Sequence, residues 1–148
     1  MAGVKSIPLD TDANMNPIIE KAEALITDRT RAIVLVSPNN PSGAIYSNQL
    51  LQKFFDLCKS NQIRLIIDET YKDFHPNASQ PHTLLENNNW DQVLTILYSF
   101  SKTYRMTGHR IGALLTSKEN LIEIEKALDT FTVCPPQLGQ YAANWGLN

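Results

Sequence analysis

Short unbroken apolar runs alternate along this chain with segments whose apolar residues recur at the helical repeat. Arg31 to Val36, Ile63 to Ile67 and Val93 to Tyr98 are runs of the first kind. Their length and lack of alternation predict strands buried on both faces, and each ends abruptly in polar or turn-forming residues. Val4 to Leu9 also reads as a strand. Asn16 and Pro17 suit the N-cap and first position of a helix that places Ile18, Ala22, Leu25 and Ile26 on one face. Ser47 caps a second helix, with Leu50, Leu51, Phe54, Phe55 and Cys58 at helical spacing. Ser117 caps a third, carrying Leu121, Ile122, Ile124, Leu128 and Phe131, and Pro135-Pro136 separates it from a last helix over Gln137 to Leu147. Ile111 to Thr116 predicts a fourth strand. It follows the third so closely that the link reads as a tight reversal and the strand as antiparallel. The stretch from His75 to Asn89, rich in Asn and Pro, reads as a long surface connection.

Alternating strands and amphipathic helices define an α/β fold with a mostly parallel sheet. In such sheets ligands bind beyond the carboxyl ends of the strands. Three successive strand ends here carry unusual polar residues: Asn39 and Asn40, then Asp68 and Tyr71, then Ser99, Ser101 and Lys102. Their convergence marks a place for a site without yet naming a reaction.

Composition narrows the classes. With 148 residues, 43% of them hydrophobic, the chain suits one domain with a real core. A formal net charge of -2 supplies no basic field for nucleic acid or an anionic membrane. No apolar run approaches the roughly 18 to 20 residues that span a bilayer. The amino terminus lacks a signal-peptide pattern, and Ala2 stands where myristoylation needs glycine. Cys58 and Cys134 lie far apart without metal-ligand spacing, as do His75, His82 and His109; no metal site is expected. Free thiols fit a reducing compartment, so a cytoplasmic location is expected.

The strand-end residues carry specific chemistry. A partly desolvated lysine is a nucleophilic amine, the property a carbonyl-bearing cofactor requires. Lys102 fits that role, although an arbitrary strand-end lysine more often snorkels to solvent. Ser99, Ser101 and the planar guanidinium of Arg110 form a suitable phosphate set. Asp68 closes an otherwise apolar run, where an unpaired carboxylate is costly, so a cationic partner or ligand is expected. Its alternative is a helix-capping carboxylate. A protonated pyridine nitrogen would serve as the cation and make the ring an electron sink. Tyr71 and Asn40 can both donate to a phenolic oxygen, or serve respectively as a packed ring and a turn-forming Asn.

Asn39-Asn40-Pro41-Ser42-Gly43, Asp68-Glu69-Thr70-Tyr71, Ser99-Phe100-Ser101-Lys102 and Gly108-His109-Arg110-Ile111-Gly112 occur in this order. Together they resemble the class I and II aminotransferases of pyridoxal-phosphate fold type I, and the resemblance covers almost the whole chain. It implies a three-layer α/β sandwich with one antiparallel strand, residues 1–148 forming part of the cofactor-binding large domain. It further implies that Lys102 holds pyridoxal 5'-phosphate as a Schiff base and moves protons. Asp68 pairs with the pyridinium nitrogen, Tyr71 and Asn40 bind the phenolic oxygen, and Ser99, Ser101 and Arg110 hold the phosphate. The implied reaction moves an amino group between an amino acid and a 2-oxo acid, in amino acid metabolism, by a homodimer when full-length. The family's small domain and the first part of its large domain have no counterpart here. The chain alone is therefore expected to bind the cofactor weakly and turn over poorly.

Other readings stay open at this stage. A C-S lyase or a decarboxylase of the same fold shares these contacts, and a shortened product retaining only a folding or dimerising role is a non-catalytic alternative. Arg64-Leu65-Ile66-Ile67-Asp68-Glu69 resembles the magnesium-binding strand of P-loop nucleotide hydrolases. Their phosphate loop needs Gly-Lys, a dipeptide absent from this sequence. Asp10 to Lys21 starts like a calcium loop but has Met15 for the required glycine and Lys21 for the closing glutamate.

Overall fold

The computed structural model describes residues 3–148. Met1 and Ala2, and with them the acylation reading at Ala2, lie outside the described residues. Eight regular elements follow one another: α1 (Ile19–Leu25), β1 (Ala32–Val36), α2 (Asn48–Ser60), β2 (Arg64–Asp68), β3 (Leu94–Ser99), β4 (Gly112–Leu115), α3 (Lys118–Phe131) and α4 (Gln137–Leu147). The strands form one sheet in the order β1-β2-β3-β4. The first three are parallel, with Val36 opposite Asp68 and Asp68 opposite Leu97. The predicted reversal of direction at β4 is present, with Ser99 opposite Gly112. The link itself is no tight turn. It is a loop from Phe100 to Ile111 with a 3-10 turn at Thr107–His109.

The predicted apolar faces of α2 and the strands meet in one core. Leu51, Phe54, Phe55 and Cys58 of α2 pack on Leu35, Leu65, Ile67, Leu94 and Ile96 of the sheet. Ser47 caps α2 as its sequence predicts, accepting the N–H of Leu50, and Ser117 caps α3 in the same way from Asn120. Burial raises the Cys58 thiol to about 12, which leaves it an inert core side chain.

Five expectations need correction. Val4 to Leu9 is not paired as a strand; among the described residues the pairing nearby is a bridge between Thr11 and Pro17. That bridge also moves the start of α1. The Asp12 carboxylate accepts the N–H groups of Asn14 and Asn16, folding residues 12–16 into a turn. Asn16 therefore does not cap, and α1 begins at Ile19 without a side-chain cap. β1 is not buried on both faces: it is an edge strand, and Val34, on the face away from α2, is 61% exposed. α3 forms where its periodicity predicts but buries no residue, because no described element packs on its apolar face. Finally, the segment from His75 to Asn89 is not wholly a surface connection: Leu84 is fully buried and His82 nearly so. No helix among the described residues is long and apolar enough to cross a membrane.

This uneven packing predicts an uneven response to truncation. Phe54→Ala should lower unfolding free energy by about 3–5 kcal/mol in urea titration. Phe131→Ala, at a residue 84% exposed on α3, should change it by less than about 0.5 kcal/mol.

Candidate functional site

Parallel pairing brings the ends of β1, β2 and β3 together, and the candidate residues leave the sheet there. After β1 the chain turns through Ser37 to Gly43. Ser37 donates its N–H to Asp68 O at 3.1 Å, and the Ser37 hydroxyl accepts the Tyr46 N–H at 3.1 Å. Asn39 closes the turn, its carboxamide oxygen accepting from the Ser42 hydroxyl at 2.7 Å. Asn40 is left exposed at the tip, and its side-chain amide points at the Tyr71 hydroxyl at 3.5 Å.

β2 ends at Asp68, which is half-buried. One carboxylate oxygen accepts the Thr70 N–H at 2.9 Å. The other has no hydrogen bond among the described residues. Tyr71 begins a 3-10 turn over Lys72–Phe74. Its ring meets two groups, the Phe74 ring at 6.1 Å and the Lys102 ammonium at 5.7 Å from the ring centre. The latter lies within cation–π range. Asn40, Tyr71 and Lys102, distant in sequence, are thus in one place. Asn40 and Tyr71 also line a shallow hollow of about 320 Å³ with Pro38, Asn39 and Phe74. A larger hollow, about 650 Å³, lies between the Asp12 turn and the start of α2; it contains none of the candidate residues, so size does not mark the site.

Lys102 and Arg110 share the loop between β3 and β4. A second apolar cluster, Phe100, Met106 and Ile111 with Ala143 of α4, holds the base of this loop. Backbone bonds from Phe100 to Ile111 and from Met106 to Phe100 close it. Arg105 and Arg110 both sit at left-handed backbone angles, φ 55° and 53°, each costing a non-glycine residue roughly 1–2 kcal/mol. Lys102 is exposed, so the described residues do not supply the desolvation expected for it. Ser101 is buried and donates its N–H to the Ser99 hydroxyl at 3.2 Å, which leaves the Ser99 proton free to donate. The Arg110 guanidinium instead reaches back to Thr107 O at 3.0 Å. Ser99 and Ser101 are therefore joined to each other, while Arg110 is engaged within its own loop.

Two polar pairs beside Tyr71 escaped sequence reading. Glu69 and His82 are buried and directly hydrogen-bonded. The Tyr98 hydroxyl donates to the Asp73 carboxylate. Burial, and secondarily that hydrogen bond, pushes the Tyr98 phenol well above its ordinary range. An acidic residue straight after an apolar run hinted at Glu69. Nothing in the pattern singled out His82, which was expected at the surface.

The chain matches the family described as aminotransferase class I and II over residues 1–148. It is 32% identical over 130 residues to the aspartate aminotransferase of Thermotoga maritima, covering 88% of this chain and 34% of that protein. It is 34% identical over 139 residues to the alanine aminotransferase of Mycobacterium bovis, covering 90% of this chain and 32% of that one. Among solved structures, the aromatic aminotransferase of Pyrococcus horikoshii superposes with a TM-score of 0.83 at 26% identity, over 91% of this chain and 36% of that one. The chain thus spans about a third of the length of these relatives.

The joint between loop and sheet yields a test. A Cβ on Gly112 would lie 2.8 Å from the Tyr98 carbonyl oxygen, whereas one on Gly108 would meet nothing within 4 Å. Gly112→Ala should cost about 1–3 kcal/mol in thermal or urea unfolding. Gly108→Ala should stay within about 0.5 kcal/mol.

Proposed function

Because the chain belongs to the class I and II aminotransferases, we propose that it carries part of the cofactor site of an enzyme that moves an amino group between an amino acid and a 2-oxo acid. The observation that supports this most is the meeting of Asn40, Tyr71 and Lys102 at adjacent strand ends. A primary amine beside a phenol, itself within reach of an amide donor, suits pyridoxal 5'-phosphate, whose aldehyde stands next to a phenolic oxygen. The half-buried Asp68, with one carboxylate oxygen uncommitted, suits its ring nitrogen.

When bound, that cofactor supplies an electron-accepting ring that stabilises negative charge on the substrate carbon. This chain's residues do the rest. The Lys102 amine would hold the cofactor and, once released from it, take and return a proton at its Nζ. The Asp68 carboxylate would keep a proton on the ring nitrogen by charge-assisted hydrogen bonding. The Tyr71 hydroxyl and the Asn40 amide would donate to the phenolic oxygen. Ser99 and Ser101 would present hydroxyls to the phosphate. Arg110 would join them after exchanging the Thr107 carbonyl for a phosphate oxygen, a stronger, charge-assisted partner.

Relatives named aspartate and alanine aminotransferase favour transamination over elimination or decarboxylation among the reactions these contacts permit. The nucleotide-hydrolase alternative loses its second residue, since Glu69 is occupied by His82 and not available to polarise water.

Adding pyridoxal 5'-phosphate, reducing with borohydride and mapping the modified peptide tests the reading. The label is expected on Lys102 and is expected to vanish in Lys102→Ala. Asp68→Ala should weaken cofactor retention about 10- to 100-fold, the loss of a charge-assisted hydrogen bond. Labels scattered over surface lysines would sink the proposal.

A further inference from the structure

Tyr71 is the hub of the candidate site, yet little holds its side chain directly. Among the described residues its hydroxyl has only the long contact from Asn40, and its ring lies 6.1 Å from the Phe74 ring and 5.7 Å from the Lys102 ammonium. The location of the hydroxyl must then come from the backbone that carries it. That backbone is a tight turn: Lys72 donates to Glu69 O at 2.9 Å, Phe74 to Tyr71 O at 3.0 Å and His75 to Lys72 O at 2.9 Å.

Two residues before Tyr71, Glu69 is 5% exposed and hydrogen-bonded to His82, 7% exposed. Its N–H also donates to Leu97 O of β3 at 2.8 Å. The Leu84 N–H points at His82 Nδ1 at 3.3 Å, which leaves the ring proton on Nε2, facing the Glu69 carboxylate. Two residues after Tyr71, Asp73 accepts from the Tyr98 hydroxyl, and the Lys72 ammonium lies 5.3 Å from the Tyr98 ring centre. Tyr98 stands on β3, four residues before Lys102, and packs edge-on against Phe100, whose centre is 5.2 Å away. Glu69 and His82 are buried and Asp73 and Tyr98 half-buried, and polar groups withdrawn from water are costly to leave unpaired, unlike the exposed Lys126–Glu123 pair on α3. Each pair therefore holds its backbone to one arrangement.

We propose that Glu69–His82 and Asp73–Tyr98 are two braces that position Tyr71 from either side, so that its hydroxyl meets the cofactor's phenolic oxygen. All four are positioning residues, touching neither cofactor nor substrate. The inference rests on the placement of Tyr71 in the cofactor site given under Proposed function. The second brace also ties the Tyr71 turn to the strand that leads into the Lys102 loop, so the two halves of the site move as one.

The test uses Tyr98→Phe, which removes one hydroxyl and keeps the ring, and His82→Gln, which keeps a donor but shortens its reach. Hydrogen exchange of the protein without added cofactor is read first. Both variants should speed exchange in the peptide spanning residues 69–76 and leave that spanning β1 unchanged. Equal acceleration in both peptides, or none in either, overturns the braces. If His82→Gln does not fold, Tyr98→Phe decides alone.

With cofactor bound, a double-mutant cycle with Tyr71→Phe follows. Tyr98→Phe should raise the dissociation constant for pyridoxal 5'-phosphate about threefold to tenfold, shifting the cofactor's visible absorption in the same direction as Tyr71→Phe. In the Tyr71→Phe background its further effect should fall below about twofold, since there is no hydroxyl left to position. Additive losses overturn the braces and leave the site standing. A Tyr71→Phe variant with unchanged absorption and cofactor dissociation constant overturns the placement of Tyr71 itself, and the braces with it.

Discussion

Backbone hydrogen bonding across four strands holds Val36, Asp68, Leu97 and Leu114 in one row. Every element of the candidate site is measured from that row. One residue past it on β1 lies Ser37, whose N–H donates to Asp68 O; one past it on β2 lies Glu69, whose N–H donates to Leu97 O. A slip of β2 by one residue would send Asp68 to the core face and put Ile67 or Glu69 in its place, because side chains alternate strictly along a strand. What opposes the slip is burial. Leu35, Leu65, Ile67, Leu94 and Ile96 enter the same core as Phe54 and Phe55, and a slip of one residue would turn a strand's share of them away from it.

Given that row, the site is assembled by two loops of different character. The turn after β2 is short and held by one buried and one half-buried polar pair, where each partner answers for the other's desolvation. The loop after β3 is longer. It is held at its base by apolar packing of Phe100, Met106 and Ile111 against α4, while Lys102 and Arg110 stay exposed on it. Arg105 and Arg110 adopt left-handed angles there, a local cost that the surrounding packing sustains. Across the gap between the two loops, the Lys102 ammonium lies 5.7 Å from the Tyr71 ring centre.

Packing around the sheet is lopsided in a way that agrees with the chain spanning about a third of its relatives. The α2 face is closed. The opposite face leaves Val34 exposed, α3 buries no residue, and α4 buries only Gly139 and Ala143, where it meets the base of the Lys102 loop. Local sequence still drives these helices to form, since caps and spacing act within a segment, whereas burial requires a second surface.

Sequence alone determined the order of strands and helices, the caps at Ser47 and Ser117, the reversal at β4 and the membership of the α2 core, because periodicity and capping are local signals. It also marked Asn40, Asp68, Tyr71, Ser99, Ser101, Lys102 and Arg110 as the residues whose chemistry needs explaining. Tertiary structure decided what depends on distant partners. α2 covers one face of β1 and leaves Val34, on the other, exposed. His82 leaves an apparently polar loop for a buried bond with Glu69. A hydrogen bond between residues thirteen apart in the chain leaves no periodic trace; it exists only because folding removes water from both ends of it at once.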